Sequence, residues 1–326
     1  MSNRLVVAAI AMSLSGCAGP ASDNTVEVRV ARGSGSLAIG RTLRSAGLID
    51  HPRVFSLYVR IRGVDQELKA GHYRFPERAG WPELVDMMVA GSVVTHPVTI
   101  PEGFTIREMA PRLAAITGVT PDSILRLAAD TVLAAAIGAP GPTLEGYLFP
   151  ETYRFAEGVD PIEAFTAMVD RYQAFWGPEE RAKADSMGLS EREVVTLASI
   201  VEEEARHPEE RPVIAGVYLN RLAIDMMLQA DPTVQYALGA PRERLLYRDI
   251  DAVADSPYNT YTHTGLPPGP IAAPGEAALR AVLAPADVPY LFFVARPDGS
   301  HEFTRTAREH INAKNRIRRE SSRENS

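Results

Sequence analysis

The chain has 326 residues, 45% of them apolar and 23% charged, enough for two domains and a substantial core in an ordinary soluble globular composition. A formal net charge of −7 argues against nucleic acid as a partner, and no apolar run approaches the roughly 18 residues of a membrane-spanning helix. Cys17 is the only cysteine, which excludes an intramolecular disulfide and thiolate metal sites.

At the N-terminus Arg4 precedes a short apolar core, Leu5 to Met12, which runs into Leu14-Ser-Gly-Cys17. That tetrapeptide resembles the lipobox of bacterial lipoproteins. Residues 1–17 therefore read as a signal and anchor with Cys17 as the lipidated residue, a short membrane segment being the alternative. Residues 18–24 form a flexible tether. An anchor of either kind places the protein outside the cytoplasm on a membrane; the inner membrane, with the chain facing the periplasm, is the expectation, although the residues do not specify which membrane.

Residues 25–95 read as a small α+β module. Its elements are a strand at Thr25–Val30, helices at Leu37–Ala46 and Pro52–Ile61, and a strand at Gly71–Phe75. A helix at Trp81–Val89 follows, then a strand from Val93 to Ile100. The glycine pair in Arg32-Gly-Ser-Gly-Ser36 lacks the Gly-Lys-Ser/Thr ending of a phosphate loop, so it reads as a turn. His72, Tyr73 and Trp81 either pack in this module's core or touch a sugar.

A larger α+β domain follows over residues 96–312. Thr105 and Glu108 make a capping box for a helix to about Ile116, and another helix starts at Pro121. Leu144-Glu-Gly-Tyr-Leu-Phe-Pro-Glu-Thr-Tyr153 is dense in aromatics and holds two carboxylates, Glu145 and Glu151. Bent by Gly146 and Pro150, it reads either as a cleft-lining loop or as packing around a tight turn. Ile162–Trp176 is an amphipathic helix, and polar residues lead from it to Gly188.

The central element is the helix from Ser190 to Ala205. Ser190 and Glu193 form its capping box, and Val194 to Val201 is apolar apart from Thr196 and Ser199, as in a helix buried on most of its circumference. It ends in Glu202, Glu203 and Glu204, three carboxylates at the negative end of the helix dipole, where helix stability alone does not favour them. At roughly 100° per residue, Glu203 points to solvent while Glu202 and Glu204 lie on opposite flanks of the apolar stripe. A carboxyl half-surrounded by hydrocarbon is pushed toward the range of a working acid. The spacing leaves Glu202 and Glu204 level.

Beyond it come a helix at Pro212–Leu222, the segment Leu228–Tyr236, and a run from Asp255 to Ile271 rich in hydroxyl, amide and imidazole groups. That run ends in Leu266-Pro-Pro-Gly-Pro-Ile271 and reads as a rigid hydrogen-bonding wall. Pro289–Val294 is a buried strand, Asp298-Gly299 a turn and His301–Thr304 its antiparallel partner. An Arg-rich helix to about Arg319 follows, with residues 313–326 forming a polar tail.

Together these pieces resemble the YceG-like family of endolytic murein transglycosylases. The matching residues are Leu144–Tyr153, Ala198-Ser-Ile-Val-Glu202, Asn220-Arg221, Gln229-x-Asp-Pro-Thr233, Tyr258-Asn-Thr-Tyr261, Gly265–Ile271 and His301-x-Phe303. Residues 25–95 are similar to that family's LysM-like module, though the family usually carries a true transmembrane helix instead of a lipobox-like start. The resemblance implies that Glu202 is the catalytic acid of a lytic transglycosylase acting on peptidoglycan glycan strands. It also implies cleavage between N-acetylmuramic acid and N-acetylglucosamine with formation of a 1,6-anhydro end. No metal or cofactor is implied, and glycan-polymerising synthases are the implied protein partners. Gln229, Asp231, Thr233, Tyr258, Asn259, Thr260 and Tyr261 are candidate substrate contacts, with Glu145 and Glu151 behind them. A non-catalytic glycan-binding lipoprotein and a hydrolysing muramidase are the alternatives.

Overall fold

The computed structural model describes residues 24–240, 242 and 245–324, and over them the chain is α+β. Cys17, the lipobox and most of the tether lie outside the described residues. The chain divides into two units, one up to Val94 and one from Thr95 onward.

The first unit runs β1 (Thr25–Val30), α1 (Ser36–Ser45), α2 (Pro52–Ile61), β2 (Gly71–Pro76) and α3 (Trp81–Ala90). β1 and β2 pair antiparallel with Val28 opposite Tyr73, so Val28, Val30, Tyr73 and Phe75 share one buried face. Ile39, Leu43, Phe55, Val59, Leu84 and Met88 from the three helices close over that face. Tyr73 stacks on Phe75 at 5.1 Å and its hydroxyl donates to the Lys69 carbonyl at 2.7 Å. Trp81 meets Phe55 edge-on at 5.8 Å. Both aromatics are therefore packing residues of this unit, and His72 lies 3.3 Å from the Glu27 carboxyl.

The second unit continues with β3 (Thr95–Thr99), α4 (Ile106–Thr117), α5 (Pro121–Ala128), α6 (Thr131–Ala136), β4 (Thr152–Ala156) and α7 (Pro161–Phe175). Next are α8 (Pro178–Ser186), α9 (Glu191–Glu204), α10 (Arg211–Ala223), α11 (Asp231–Leu238), α12 (Tyr247–Ala252) and α13 (Glu276–Leu283). The hairpin β5 (Phe292–Ala295) and β6 (His301–Thr304) and the helix α14 (Ala307–Glu324) complete it. Residues read as a polar tail are thus helical as far as Glu324. They contain no Gly or Pro and place Arg316 four residues before Glu320, a pair 4.0 Å apart.

α9 is the axis of this unit. Every residue from Val194 to Val201 is buried, including Thr196 and Ser199. The Ser190–Glu193 capping box is present, with Ser190 N–H donating to Glu193 at 2.8 Å. α10 and α13 pack along α9, so the last turn of α9 meets the first turn of α10 and the turn before α13. The buried Ser199 hydroxyl donates to the Thr196 carbonyl at 2.8 Å and accepts from Ile271 N–H at 3.0 Å, which locks the Pro-rich wall onto the helix.

Candidate active site

The three carboxylates at the end of α9 fan out into three different surroundings. Glu202, with a side chain only 7% exposed, accepts from the Arg211 guanidinium at 2.6 Å through Oε1. Its Oε2 accepts from Gly275 N–H at 3.0 Å. Its neighbours are thus a cation and an amide rather than hydrocarbon. Glu204 turns to α10, where the buried Tyr218 hydroxyl donates to it at 2.8 Å. Burial outweighs that bond and pushes the Glu204 carboxyl up to about 7. Arg211 and Tyr218 lie two turns apart on one face of α10, and together they answer the charge that the dipole of α9 does not.

Glu203, expected to face solvent, is exposed, and what it faces is a cavity of about 600 Å³. The cavity is also lined by Glu145, Glu108, Gln235, Tyr236 and Tyr258, and its volume lies within the ordinary range for a ligand site. Tyr236 and Tyr258 form an aromatic wall, their rings 4.8 Å apart. Burial, then the charges of Glu108 and Glu202, push the Glu203 carboxyl up to about 7, an effect that solvent at its exposed side chain screens.

Glu145 is the most enclosed acid in the cavity. It accepts from Ile106 N–H at 3.0 Å, the first residue of α4, and from the Tyr236 hydroxyl at 3.4 Å. Burial nevertheless pushes its carboxyl up to about 8. The backbone that aims it depends on Gly146, which sits at φ +82°, and where a Cβ would come 2.3 Å from the Pro270 ring. A carboxyl raised in the folded state keeps a proton that the unfolded chain releases near its ordinary value of 4.5. Its contribution to stability is therefore full below about pH 4.5 and is lost as pH rises through about 8. Glu145→Gln is expected to flatten this fall in urea-denaturation midpoints between pH 5 and about 8, leaving the slope from Glu204 and a screened part from Glu203, which end near pH 7.

The remaining expected contacts divide in two. Gln229 is exposed and held at φ +49°, a conformation uncommon for a residue with a side chain, with its N–H on the Thr260 carbonyl at 3.0 Å. Asp231 is exposed at the start of α11 and accepts from the Tyr261 hydroxyl at 2.5 Å. Tyr258 lines the cavity. Thr233, Asn259 and Thr260, by contrast, are buried and their polar groups are engaged within the protein. Thr260 Oγ1 bonds Ala230 N–H at 3.0 Å and Thr233 Oγ1 at 2.8 Å, and Asn259 donates to the Ile250 carbonyl at 2.9 Å. These three build the wall from behind. Glu151 is exposed outside the cavity and paired with Arg171 at 2.6 Å.

Arg211, Gly275, Glu102, Tyr218 and Tyr236 were not singled out by the sequence. Only the spacing of Arg211 and Tyr218 on the next helix offered a hint. Among the described residues no group of His, Cys, Asp and Glu is arranged to hold a metal, and no helix is long and apolar enough to cross a membrane.

The second unit thus holds a buried helix with three acids at its tip, and of these Glu203 lines the acidic, aromatic-walled cavity. The chain belongs to the YceG-like family, whose model matches residues 28–316. Among its relatives, it is 31% identical over 308 residues to the endolytic murein transglycosylase of Bacillus subtilis, covering 90% of this chain and 85% of that protein. The endolytic murein transglycosylase of Streptococcus pneumoniae R6 is 30% identical over 329 residues, covering 89% of this chain and 59% of that longer protein. A crystal structure of a YceG-like protein from Listeria monocytogenes superposes with a TM-score of 0.62 at 33% identity, covering 90% of this chain and all of that one.

Proposed function

We propose that the protein is an endolytic lytic transglycosylase that cuts the N-acetylmuramic acid–N-acetylglucosamine bond inside peptidoglycan strands. The observation that carries this reading is Glu202. It ends the Ala-Ser-Ile-Val run of a buried helix, its two oxygens are held by different partners, and it sits in a chain alike over 90% of its length to a murein transglycosylase.

In the mechanism, neutral Glu202 gives its proton to the glycosidic oxygen as the bond to the anomeric carbon breaks. The resulting carboxylate then removes the proton from the 6-hydroxyl of the same muramic residue while that oxygen closes on the anomeric carbon. One carboxyl serves both steps and no water is consumed, in contrast to the paired carboxylates of ordinary glycosidases. Tyr258 and Tyr236 offer the aromatic surface for a sugar ring, and Gln229 and Asp231 present exposed polar groups for the N-acetyl and hydroxyl groups. The LysM-like first unit adds grip on the glycan. The N-terminal segment with Cys17 anchors the enzyme to the inner membrane facing the periplasm, within reach of the synthases that make its substrate.

Digestion of purified glycan strands followed by mass spectrometry tests the reading. The expected products carry 1,6-anhydromuramic ends, about 18 mass units below the reducing ends a hydrolase leaves, because no water is added at the cut. Reducing ends instead would make the enzyme a muramidase, and an undigested substrate would leave a glycan-binding lipoprotein.

A further inference from the structure

The ion pair on Glu202 poses a chemical question, because a pair with a guanidinium needs the carboxylate and a proton donor needs the acid. The surroundings of Arg211 contain an answer. The Nη2 atom that reaches Glu202 at 2.6 Å is also 3.8 Å from Oε2 of Glu102, in the turn before α4. The Arg211 Nε–H is buried and has no hydrogen-bond partner among the described residues, so the guanidinium has an unused donor. Glu102 lies against Gly275, the same residue whose N–H holds Glu202. A Cβ on Gly275 would come 1.9 Å from the Glu102 Oε1.

We propose that Arg211 is a shared counter-ion, paired with Glu202 at rest and passed to Glu102 as Glu202 takes up the proton it will donate. This makes Arg211 and Glu102 positioning residues, and it rests on Glu202 being the acid of the proposed reaction. The charges balance. Two carboxylates and one guanidinium carry a net −1, and a proton taken from solvent onto Glu202 leaves ionised Glu102 facing Arg211 at net zero. The groups facing Glu202 are Arg211 from α10, Glu102 and the Gly275 N–H from the two neighbouring turns, and Glu203 next along α9. Burial and then the Glu202 charge raise the Glu102 carboxyl, with Arg211 offsetting only part of that, so the hand-over relies on neutral Glu202 withdrawing its charge from beside Glu102.

The test is a double-mutant cycle on Glu102 and Arg211, with kcat and KM on glycan strands measured across pH. Glu102→Gln strands the guanidinium on Glu202. It is expected to lower kcat about tenfold with KM within about twofold, and to move the alkaline limb of the kcat profile to lower pH. Arg211→Gln moves that limb to higher pH. In its background Glu102→Gln removes only a repulsive charge and changes kcat by less than about twofold. Gly275→Ala, which keeps the N–H but pushes Glu102 aside, reproduces the Glu102→Gln effect. Should Arg211→Gln fail to fold, Arg211→Met removes the same charge while keeping an apolar stem of similar reach and serves in its place. Equal effects of Glu102→Gln with and without Arg211, or no loss of kcat in either, overturn the sharing. Both results leave the proposed activity standing, whereas an active Glu202→Gln enzyme overturns the reading on which the sharing depends.

Discussion

Glu202→Gln is expected to lower glycan cleavage by about 10²–10⁴-fold, the usual worth of a positioned acid, while the folded structure persists. The amide keeps the side chain's shape, can still accept from Gly275 N–H, and leaves Arg211 with Glu102 as an alternative partner. Turnover of glycan strands checks the rate and the thermal midpoint checks the fold. The neighbouring glutamates are the controls. Glu204→Gln keeps a group for the Tyr218 hydroxyl, and Glu203→Gln alters the cavity without touching Arg211. If Glu203→Gln were the inactive variant and Glu202→Gln the active one, the acid would belong to the cavity wall one residue along.

Arg221→Met is expected to cost about 3–5 kcal/mol of stability. Arg221 is 6% exposed, and its Nε donates to the Leu291 carbonyl at 2.6 Å. Its Nη1 donates to the Leu228 carbonyl at 2.5 Å, and its guanidinium lies over the Phe292 ring at 5.4 Å. Methionine fills the space but orphans the buried Leu228 carbonyl and the part-buried Leu291 carbonyl, a fully buried one costing about 1–3 kcal/mol when left unpaired. A fall in the urea midpoint at unchanged slope checks it. Leu228 precedes Gln229, so the same change also releases the unusual backbone of Gln229 and lowers activity even where the protein is still folded.

Local signals carried the parts of the fold that depend on neighbours in the chain. The capping boxes at Thr105 and Ser190 and the buried run of α9 are present where the residue pattern puts them. The β5–β6 hairpin forms about Asp298-Gly299, but its first strand is Phe292–Ala295 and only partly buried, where a buried strand at Pro289–Val294 was expected. β4 was not legible, because Thr152–Ala156 follows a proline bend and is a strand only by pairing with β3, Thr99 lying opposite Thr152. α11 hid behind its opening Asp-Pro, and α13 was missed although Ala278, Leu279 and Val282 make a plain apolar stripe. The candidate site divides in the same way. A helical wheel gives the direction of Glu202 but not what packs there. Its partners arrive from 9 and 73 residues away, in segments that carry no helical phase relation to α9. Asn259 and Thr260 have the composition of a binding wall, but only the fold reveals that they face inward.

The fan of three glutamates also constrains how this helix can change over time. Successive side chains are turned by roughly 100°, so a one-residue insertion in α9 brings Val201 round to Arg211 and a one-residue deletion brings Glu203 there. Either slip also turns the fully enclosed Ser199 away from the Ile271 amide and carries apolar residues out of the packed face. Relatives are therefore free to exchange bulk for similar bulk along this rod, yet its length between the Ser190 cap and the acid is expected to stay constant across lineages. An alignment gap inside that stretch would mark a homologue that has given up the chemistry and kept the shape.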